Sequence, residues 1–159
     1  MFKFFKNNDA KDQGKSDDEL LSKTASLLIH AAKIDENYTD TEKKIIKRAS
    51  IDLFNIGPDQ AEVLIKQAEK KEEESNQIVE FTREIKKYSM ESRLKIIEVI
   101  WKIVYSDGTS NNYESNLIRR ICGLLYISDK DNGIIKVKVQ NLKKQIWLIQ
   151  LIKIALNVN

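Results

Sequence analysis

The chain has 159 residues, which suits one domain with a hydrophobic core of its own. Hydrophobic residues make up 42% and charged residues 32%, a balance that excludes a disordered chain, and one proline with five glycines is too little turn material for an all-β fold. The net charge is only +3 with both signs interleaved, which argues against nucleic acid as a partner.

The single cysteine, Cys122, excludes an internal disulfide bond and a cysteine-based zinc site. One reduced cysteine also fits the cytoplasm, where disulfide bonds are rare. Because Cys122 lies in the apolar stretch 117–125, we predict a thiol in or near the core rather than a reactive one.

The opening segment has charges and aromatic side chains but lacks the apolar stretch of a secretory signal. A polar run follows it, and we predict that residues 1–15 form a flexible arm. Phe2, Phe4 and Phe5 stand among lysines, a pattern typical of contact with a membrane surface or a partner's groove. A disordered arm without such a contact is the alternative.

Apolar residues at helical spacing predict six helices between the arm and residue 128. Trp101 and Tyr105, four residues apart on the fifth helix, are predicted to belong to the core. The charged run 70–74 is predicted to be a solvated helix end or a short hinge. The first predicted helix begins at Ser16 or Asp17 and ends at Ile34 or Asp35, and the second runs from about Asp40 to Asn55. The third runs from Pro58 to the charged run, and the fourth from about Ile78 to Tyr88. The fifth is capped by Ser89 and carries Leu94 to Val104, and the sixth runs from about Asn112 to Tyr126.

After residue 128 the pattern is mixed. Ser128 is a suitable N-cap with Asp131 three residues later, which predicts a helix. Residues 134–139 alternate like a strand, but a lone strand has nothing to pair with, so we predict helix there as well. The tail, residues 141–159, is the most apolar part of the chain and includes Trp147. It is too short to cross a bilayer comfortably, and it forms either an extra helix packed on the body or a helix that binds a membrane surface or a partner.

Two acidic turns stand 72 residues apart and match each other. Asp35 corresponds to Asp107, and Glu42 corresponds to Glu114. In both copies an apolar helix precedes the aspartate and a second helix follows the glutamate. The sequence therefore predicts an internal helix–acidic turn–helix repeat.

These turns have a structural and a functional interpretation. Thr39 and Glu42 have the spacing of a capping box, and an asparagine before Glu114 can cap the second copy. The functional interpretation is a site for Ca²⁺ or Mg²⁺, because Asp35, Glu42, Asp107 and Glu114 supply the hard oxygen ligands that these ions prefer. The spacing is not that of an EF-hand, since the glutamate twelve positions on is missing.

The sequence offers no arrangement that predicts catalysis. It has no glycine-rich phosphate loop, no H-E-x-x-H motif and no paired nucleophile and base. The only histidine, His30, lies beside the apolar stripe of the first helix and is predicted to be partly exposed. We therefore predict that the chain is not an enzyme.

An apolar helix that ends in Ser106-Asp107-Gly108, with Glu114 opening the next helix, resembles the tellurite-resistance protein TerB-like family. The likeness extends over roughly residues 20–139, and the same domain type begins some membrane-tethered DnaJ-type co-chaperones. It implies an all-α fold of about seven helices with the two acidic turns close together. It also implies a metal-binding role for the acidic positions and a stress or tellurite-resistance role at the cytoplasmic face of the membrane. The chain departs from the family at Glu36, where glycine is usual.

The sequence thus predicts a flexible arm at 1–15, a TerB-like all-α domain at 16–140 and an apolar helix or tail at 141–159. The predicted function is a non-enzymatic binding module that holds a divalent cation at the paired acidic turns. It would act through protein partners in the cytoplasm, peripherally at the inner membrane. The alternative is a metal-independent structural or adaptor domain whose acidic residues only cap helices. The sequence leaves the oligomeric state open.

Overall fold

A computed structural model describes residues 13–75, 77–107 and 112–156, with side chains from residue 18 onward and without that of Asp107. This part of the chain consists of α-helices and one 3₁₀ turn at Tyr105–Asp107, and it contains no strand. The predicted all-α, seven-helix fold is confirmed. The helices are α1 Gln13–Lys33, α2 Asp40–Phe54, α3 Pro58–Glu74, α4 Ile78–Ile85, α5 Met90–Val104, α6 Asn112–Leu124 and α7 Asp129–Ala155.

Two helices, α1 and α5, form the centre of the bundle. Helix α1 packs against α2, α3, α4 and α5, and α5 also packs against α6 and the first part of α7. Both helices bury residues on more than one face, as expected for helices that are covered by neighbours on several sides. Their largest fully buried side chains are Leu20, Leu27, Leu28, Ile29, Ile96, Ile97, Ile100, Trp101 and Ile103.

The predicted aromatic pair lies in this core. Trp101 is 1% exposed and Tyr105 is 6% exposed. Their ring centroids are 5.6 Å apart and the rings are stacked. Trp101 Nε1 donates a hydrogen bond of 2.9 Å to Asn132 Oδ1, which satisfies the polar edge of a buried indole and joins α5 to α7.

Side-chain caps define where several helices begin. Ser89 Oγ accepts a hydrogen bond from the Ser92 N–H (3.2 Å), and Ser128 Oγ accepts one from the Asp131 N–H (3.1 Å). Both caps were predicted from the sequence. Each one satisfies a backbone amide that the first helical turn leaves unpaired. The helix prediction for residues 134–139 is confirmed as well, since they lie inside α7.

In the part of the chain that the structure describes, three helix-end residues other than glycine adopt left-handed backbone conformations. They are Glu36 (φ 62°), Asn55 (φ 52°) and Tyr126 (φ 56°). At Tyr126 the Ile127 N–H donates to Cys122 O (2.9 Å) and the Tyr126 N–H donates to Gly123 O (3.3 Å). This pair of bonds is a Schellman motif, in which glycine is the usual residue at the left-handed position.

Some predicted helix bounds were wrong. Helix α1 begins at Gln13 rather than at residue 16 or 17, and α4 ends at Ile85 rather than at residue 88. Helix α6 ends at Leu124, because Tyr126 turns into the left-handed conformation. Terminal turns are the least determined part of a helix, since few tertiary contacts hold them.

Of the two alternatives for the tail, both of them helical, the helix packed on the body is wrong. The helix runs from Asp129 to Ala155 without interruption, so the tail is a continuation of α7 and not an extra helix packed on the body. Among the described residues, Val139 is the last buried one, and the large apolar side chains from Leu142 to Leu156 are all at least 40% exposed. None of the helices in the described part of the chain is long and apolar enough to cross a membrane.

Candidate binding sites at the acidic turns and in the α2–α5 groove

The first acidic turn joins α1 to α2 and contains Asp35 and Glu42. Asp35 Oδ1 accepts a hydrogen bond from the Asn37 N–H (3.0 Å), which closes a local Asx turn. Glu42 Oε2 accepts one from the Thr39 N–H (2.9 Å), and Thr39 Oγ1 accepts one from the Glu42 N–H (3.2 Å). The predicted capping box is therefore present, and each carboxylate has one oxygen engaged by nearby backbone.

The second acidic turn joins α5 to α6 and contains Asp107 and Glu114. Glu114 is the third residue of α6, as Glu42 is the third residue of α2, and the two glutamates are 5% and 7% exposed. Asp107 ends the 3₁₀ turn. Its side chain and residues 108–111, which include the predicted asparagine cap, lie outside the described residues.

No metal site forms among the side chains that the structure describes. They contain no group of three or more His, Cys, Asp or Glu residues close enough to share an ion. Because the Asp107 side chain is not among them, the four-carboxylate site of Asp35, Glu42, Asp107 and Glu114 stays a prediction. So does the close approach of the two turns.

A buried carboxylate that we did not predict lies beside the first turn. Glu72 is 6% exposed, although it belongs to the charged run 70–74 that was predicted to be solvated. His30 Nδ1 lies 3.2 Å from Glu72 Oε1, and Lys33 Nζ lies 2.8 Å from Glu72 Oε2. These contacts tie the C-terminal ends of α1 and α3 together. His30 itself is partly exposed, as predicted.

Tyr38 extends this polar cluster toward the acidic turn. Its hydroxyl donates a hydrogen bond to Glu69 Oε1 (3.1 Å), and its ring faces the ammonium groups of Lys33 (5.9 Å) and Lys43 (4.8 Å). Burial raises the pKa of Tyr38 well above its usual value, and the neighbouring Glu69 carboxylate raises it further. Tyr38 is therefore a neutral hydrogen-bond donor at physiological pH.

The sequence did contain a signal for the position of Glu72. The buried residues of α3 recur at Ala61, Ile65 and Ala68, and the next position in that series is Glu72. Because residues 70–74 are all charged, the run was predicted to be solvated and this periodicity was not used. The partners, His30 and Lys33, are some 40 positions away and no local pattern indicates them.

An open groove of about 880 Å³ lies between α2 and α5. Its floor is apolar and consists of half-buried or buried side chains, among them Ile45, Leu53 and Val99. The charged residues along its rim are Lys44, Arg48, Asp52, Lys95, Glu98 and Lys102.

The rim of this groove carries excess positive charge. It has four cationic side chains and two anionic ones. Asp52 is paired with Arg48 (3.3 Å), and Glu98 is paired with Lys138 of α7 (2.9 Å). An apolar floor with a cationic rim is suited to an amphipathic ligand with acidic groups at its edges.

The predicted aromatic contacts fall at the two ends of the chain. Phe2, Phe4 and Phe5 lie outside the described residues. Trp147 is on the exposed half of α7 and is 60% exposed. It lines a small cavity of about 290 Å³ with Tyr105 and Gln140, where α7 leaves the body.

Cys122 is a core residue, as predicted. It is completely buried in α6. Burial raises the pKa of the thiol from its usual 9.0 to about 12, and the negative charge of Asp129 acts in the same direction. A thiol in this environment is not a nucleophile at physiological pH.

The fold and these sites define a small all-helical domain with an acidic turn after α1 and another after α5. The chain belongs to the tellurite resistance protein TerB family, whose sequence pattern matches residues 21–137. The resemblance noted from the sequence is thus confirmed. No curated protein and no solved structure matches the chain. The match ends within α7, so the exposed half of that helix lies beyond it.

Proposed function

We propose that this TerB-family chain is a non-enzymatic adaptor in tellurite or stress resistance that binds protein partners through the α2–α5 groove. The observation that carries this proposal is the combination of an apolar floor and a cationic rim in one groove. The buried thiol of Cys122 and the engaged side chain of His30 support a role without catalysis. We place this role in the cytoplasm, at the inner face of the membrane.

The partner segment that fits the groove is an acidic amphipathic helix. Helix α2 has 15 residues and α5 has 15 residues, so the groove can accommodate about four helical turns, roughly 22 Å. Apolar side chains of such a segment would cover Ile45, Leu53 and Val99. Its carboxylates would lie opposite Lys44 and Lys102, which are both exposed.

A labelled synthetic peptide tests this proposal. The acidic peptide is an amphipathic helix of leucine and glutamate. The comparison peptide has lysine in place of glutamate. Fluorescence anisotropy should show binding of the acidic peptide alone. The double variant Lys44→Glu, Lys102→Glu should weaken binding by at least about tenfold, because it reverses the charge of the rim.

The matched control is the double variant Lys70→Glu, Lys86→Glu, which makes the same charge change at exposed positions outside the groove. It should bind the acidic peptide like the unmodified protein. Equal affinity for both peptides, or equal loss in both double variants, would show that the groove is not the docking site.

A second candidate function is the binding of Ca²⁺ or Mg²⁺ at Asp35, Glu42, Asp107 and Glu114. It is supported by the two buried glutamates at matching positions of α2 and α6. Carboxylate oxygens are the ligands that these ions prefer. The capping box at Glu42 favours the alternative that the acidic residues only cap helices.

Thermal unfolding separates the two interpretations. An ion that binds only the folded chain stabilises it, by about 2.7 kcal/mol when the free ion is at a hundred times its Kd. The midpoint of thermal unfolding must then rise. We expect millimolar Ca²⁺ or Mg²⁺ to raise the midpoint if the site exists, and Asp35→Asn with Asp107→Asn to abolish the rise. An unchanged midpoint in cation and in chelator would leave the acidic turns as caps.

A further inference from the structure

The exposed half of α7, residues 141–155 together with Leu156, has large apolar side chains that the rest of the described chain covers only in part. Its large apolar side chains are 40–74% exposed, and they continue a helix whose first half is packed on α5 and α6. Exposed apolar surface of this extent marks a contact site, because it is costly to leave in water. The side chains concerned are Leu142, Ile146, Trp147, Leu148, Ile149, Leu151, Ile152, Ile154 and Leu156.

Between Ile146 and Leu156 the polar residues of this segment lie along one narrow side. With about 100° of rotation per residue, Gln150 and Lys153 are about 60° apart, whereas the polar residues before Ile146 are distributed around the helix. Most of the apolar residues, Trp147 and Leu151 among them, occupy the remaining arc. A helix with a wide apolar arc and a basic polar strip is the kind that lies in the plane of a bilayer, at the boundary of headgroups and acyl chains.

The positive charge of the segment favours lipids with anionic headgroups. Residues 132–159 contain five lysines and no aspartate or glutamate. Lys138 is paired with Glu98 and Lys136 lies over the ring of Trp101, so both are held against the body. Lys144 and Lys153 lie farther out on the exposed half and are themselves exposed.

We infer that the exposed half of α7 binds the surface of a bilayer that contains anionic lipids. Each lysine near such a surface contributes about 1 kcal/mol of attraction, in addition to the burial of the apolar arc. The helix lies on the bilayer and does not cross it, consistent with the absence of a membrane-crossing helix in the described part of the chain.

A second copy of the chain is a poorer occupant. The apolar groove on the body, between α2 and α5, has a cationic rim that would repel a lysine-bearing helix. The inference deepens the membrane location of the proposed function, but it concerns a different surface from the peptide-binding groove. Loss of peptide binding in the groove would therefore not affect lipid binding, and the reverse also holds.

Tryptophan fluorescence can detect this contact. Trp101 is 1% exposed and Trp147 is 60% exposed, so a change on adding vesicles reports on Trp147. Vesicles of phosphatidylcholine with about one-third phosphatidylglycerol should shift the emission to the blue, and brominated acyl chains should quench it. Vesicles of pure phosphatidylcholine should have a much smaller effect, and added salt should weaken the response.

Variants of the full chain establish which groups are responsible. Leu151→Asp, in the apolar arc, and the double variant Lys144→Glu, Lys153→Glu should each reduce co-sedimentation with the anionic vesicles by at least about tenfold. Val63→Asp is the matched control, since Val63 is 55% exposed on α3. It should co-sediment like the unmodified protein, and circular dichroism should show that all variants remain folded.

Three outcomes would overturn the inference. One is equal binding to neutral and anionic vesicles, and another is undiminished binding of Leu151→Asp. The third is a blue shift of Trp147 that grows with protein concentration in the absence of vesicles, which would make a second copy the occupant. Sedimentation velocity detects that self-association directly.

Discussion

His30 Nδ1 and Glu72 Oε1 lie 3.2 Å apart, and this contact joins the last turn of α1 to a carboxylate of α3 that is only 6% exposed. Lys33 lies 2.8 Å from the other oxygen of the same carboxylate. A buried carboxylate is costly unless its oxygens are satisfied. The two α1 side chains therefore satisfy both oxygens of a carboxylate that is buried at the C-terminal end of α3.

Replacing Glu72 by glutamine should lower the free energy of unfolding by about 1–3 kcal/mol, because the amide cannot accept both hydrogen bonds with the strength of a carboxylate. The neighbouring Glu73 is 71% exposed, and Glu73→Gln should change stability by less than about 0.5 kcal/mol. Urea unfolding of the two variants measures the difference. If the two variants have equal free energies of unfolding, the buried Glu72 contacts contribute no more to stability than a surface charge does.

Local features of the fold were predictable from the sequence. The capping box of Thr39 and Glu42 and the cap at Ser128 depend on residues within one helical turn, so spacing alone reveals them. The burial of Trp101 followed from apolar periodicity. The equivalence of the two acidic turns remains a prediction.

Contacts between distant residues were not predictable. The periodicity of α3 indicates that Glu72 is buried, but its partners His30 and Lys33 are brought to it by the packing of α1 against α3. The α2–α5 groove likewise combines helices that are far apart in sequence. The composition of the tail predicted a helix correctly, but it could not indicate that the helix would leave the body after Val139.

Glycine should stabilise the chain at two of its left-handed positions. Glu36 and Tyr126 have φ values of 62° and 56°, where a side chain with a Cβ atom costs about 1–2 kcal/mol. The greater freedom of glycine in the unfolded chain offsets part of this gain. We expect Glu36→Gly and Tyr126→Gly each to raise the free energy of unfolding by about 0.5–1 kcal/mol, measured by urea unfolding.

Asn55 supplies the control for these two variants. It has a similar backbone conformation, φ 52° and ψ 48°, but asparagine tolerates it better than other residues. Asn55→Gly should therefore give a smaller gain than either of the other substitutions. A larger gain at Asn55 would mean that backbone strain at Glu36 and Tyr126 does not limit stability.

The buried thiol of Cys122 should be protected from reagents in the folded chain. Its pKa is raised from 9.0 to about 12, so its neutral form is favoured by folding. This contribution to stability is fully present below pH 9 and is lost as the pH rises toward 12. At about pH 8 in buffer, DTNB should react with the Cys122 thiol only as fast as the chain unfolds. In urea, where the thiol is exposed, the reaction should be rapid. Rapid reaction in buffer would contradict a buried, protonated thiol.

The hydrogen bond between Trp101 Nε1 and Asn132 Oδ1 should be needed for the docking of α7 on α5. Asn132→Leu removes the acceptor and leaves a donor on a side chain that is 1% exposed, which should cost about 1–3 kcal/mol. Asn132→Asp retains an acceptor oxygen near the N-terminus of α7, where negative charge is favourable, and should restore most of the stability. Thermal unfolding of the two variants measures this difference. If aspartate is no better than leucine at this position, α7 is held by apolar packing alone, and the exposed half of the helix is attached to the body less rigidly than the hydrogen bond implies.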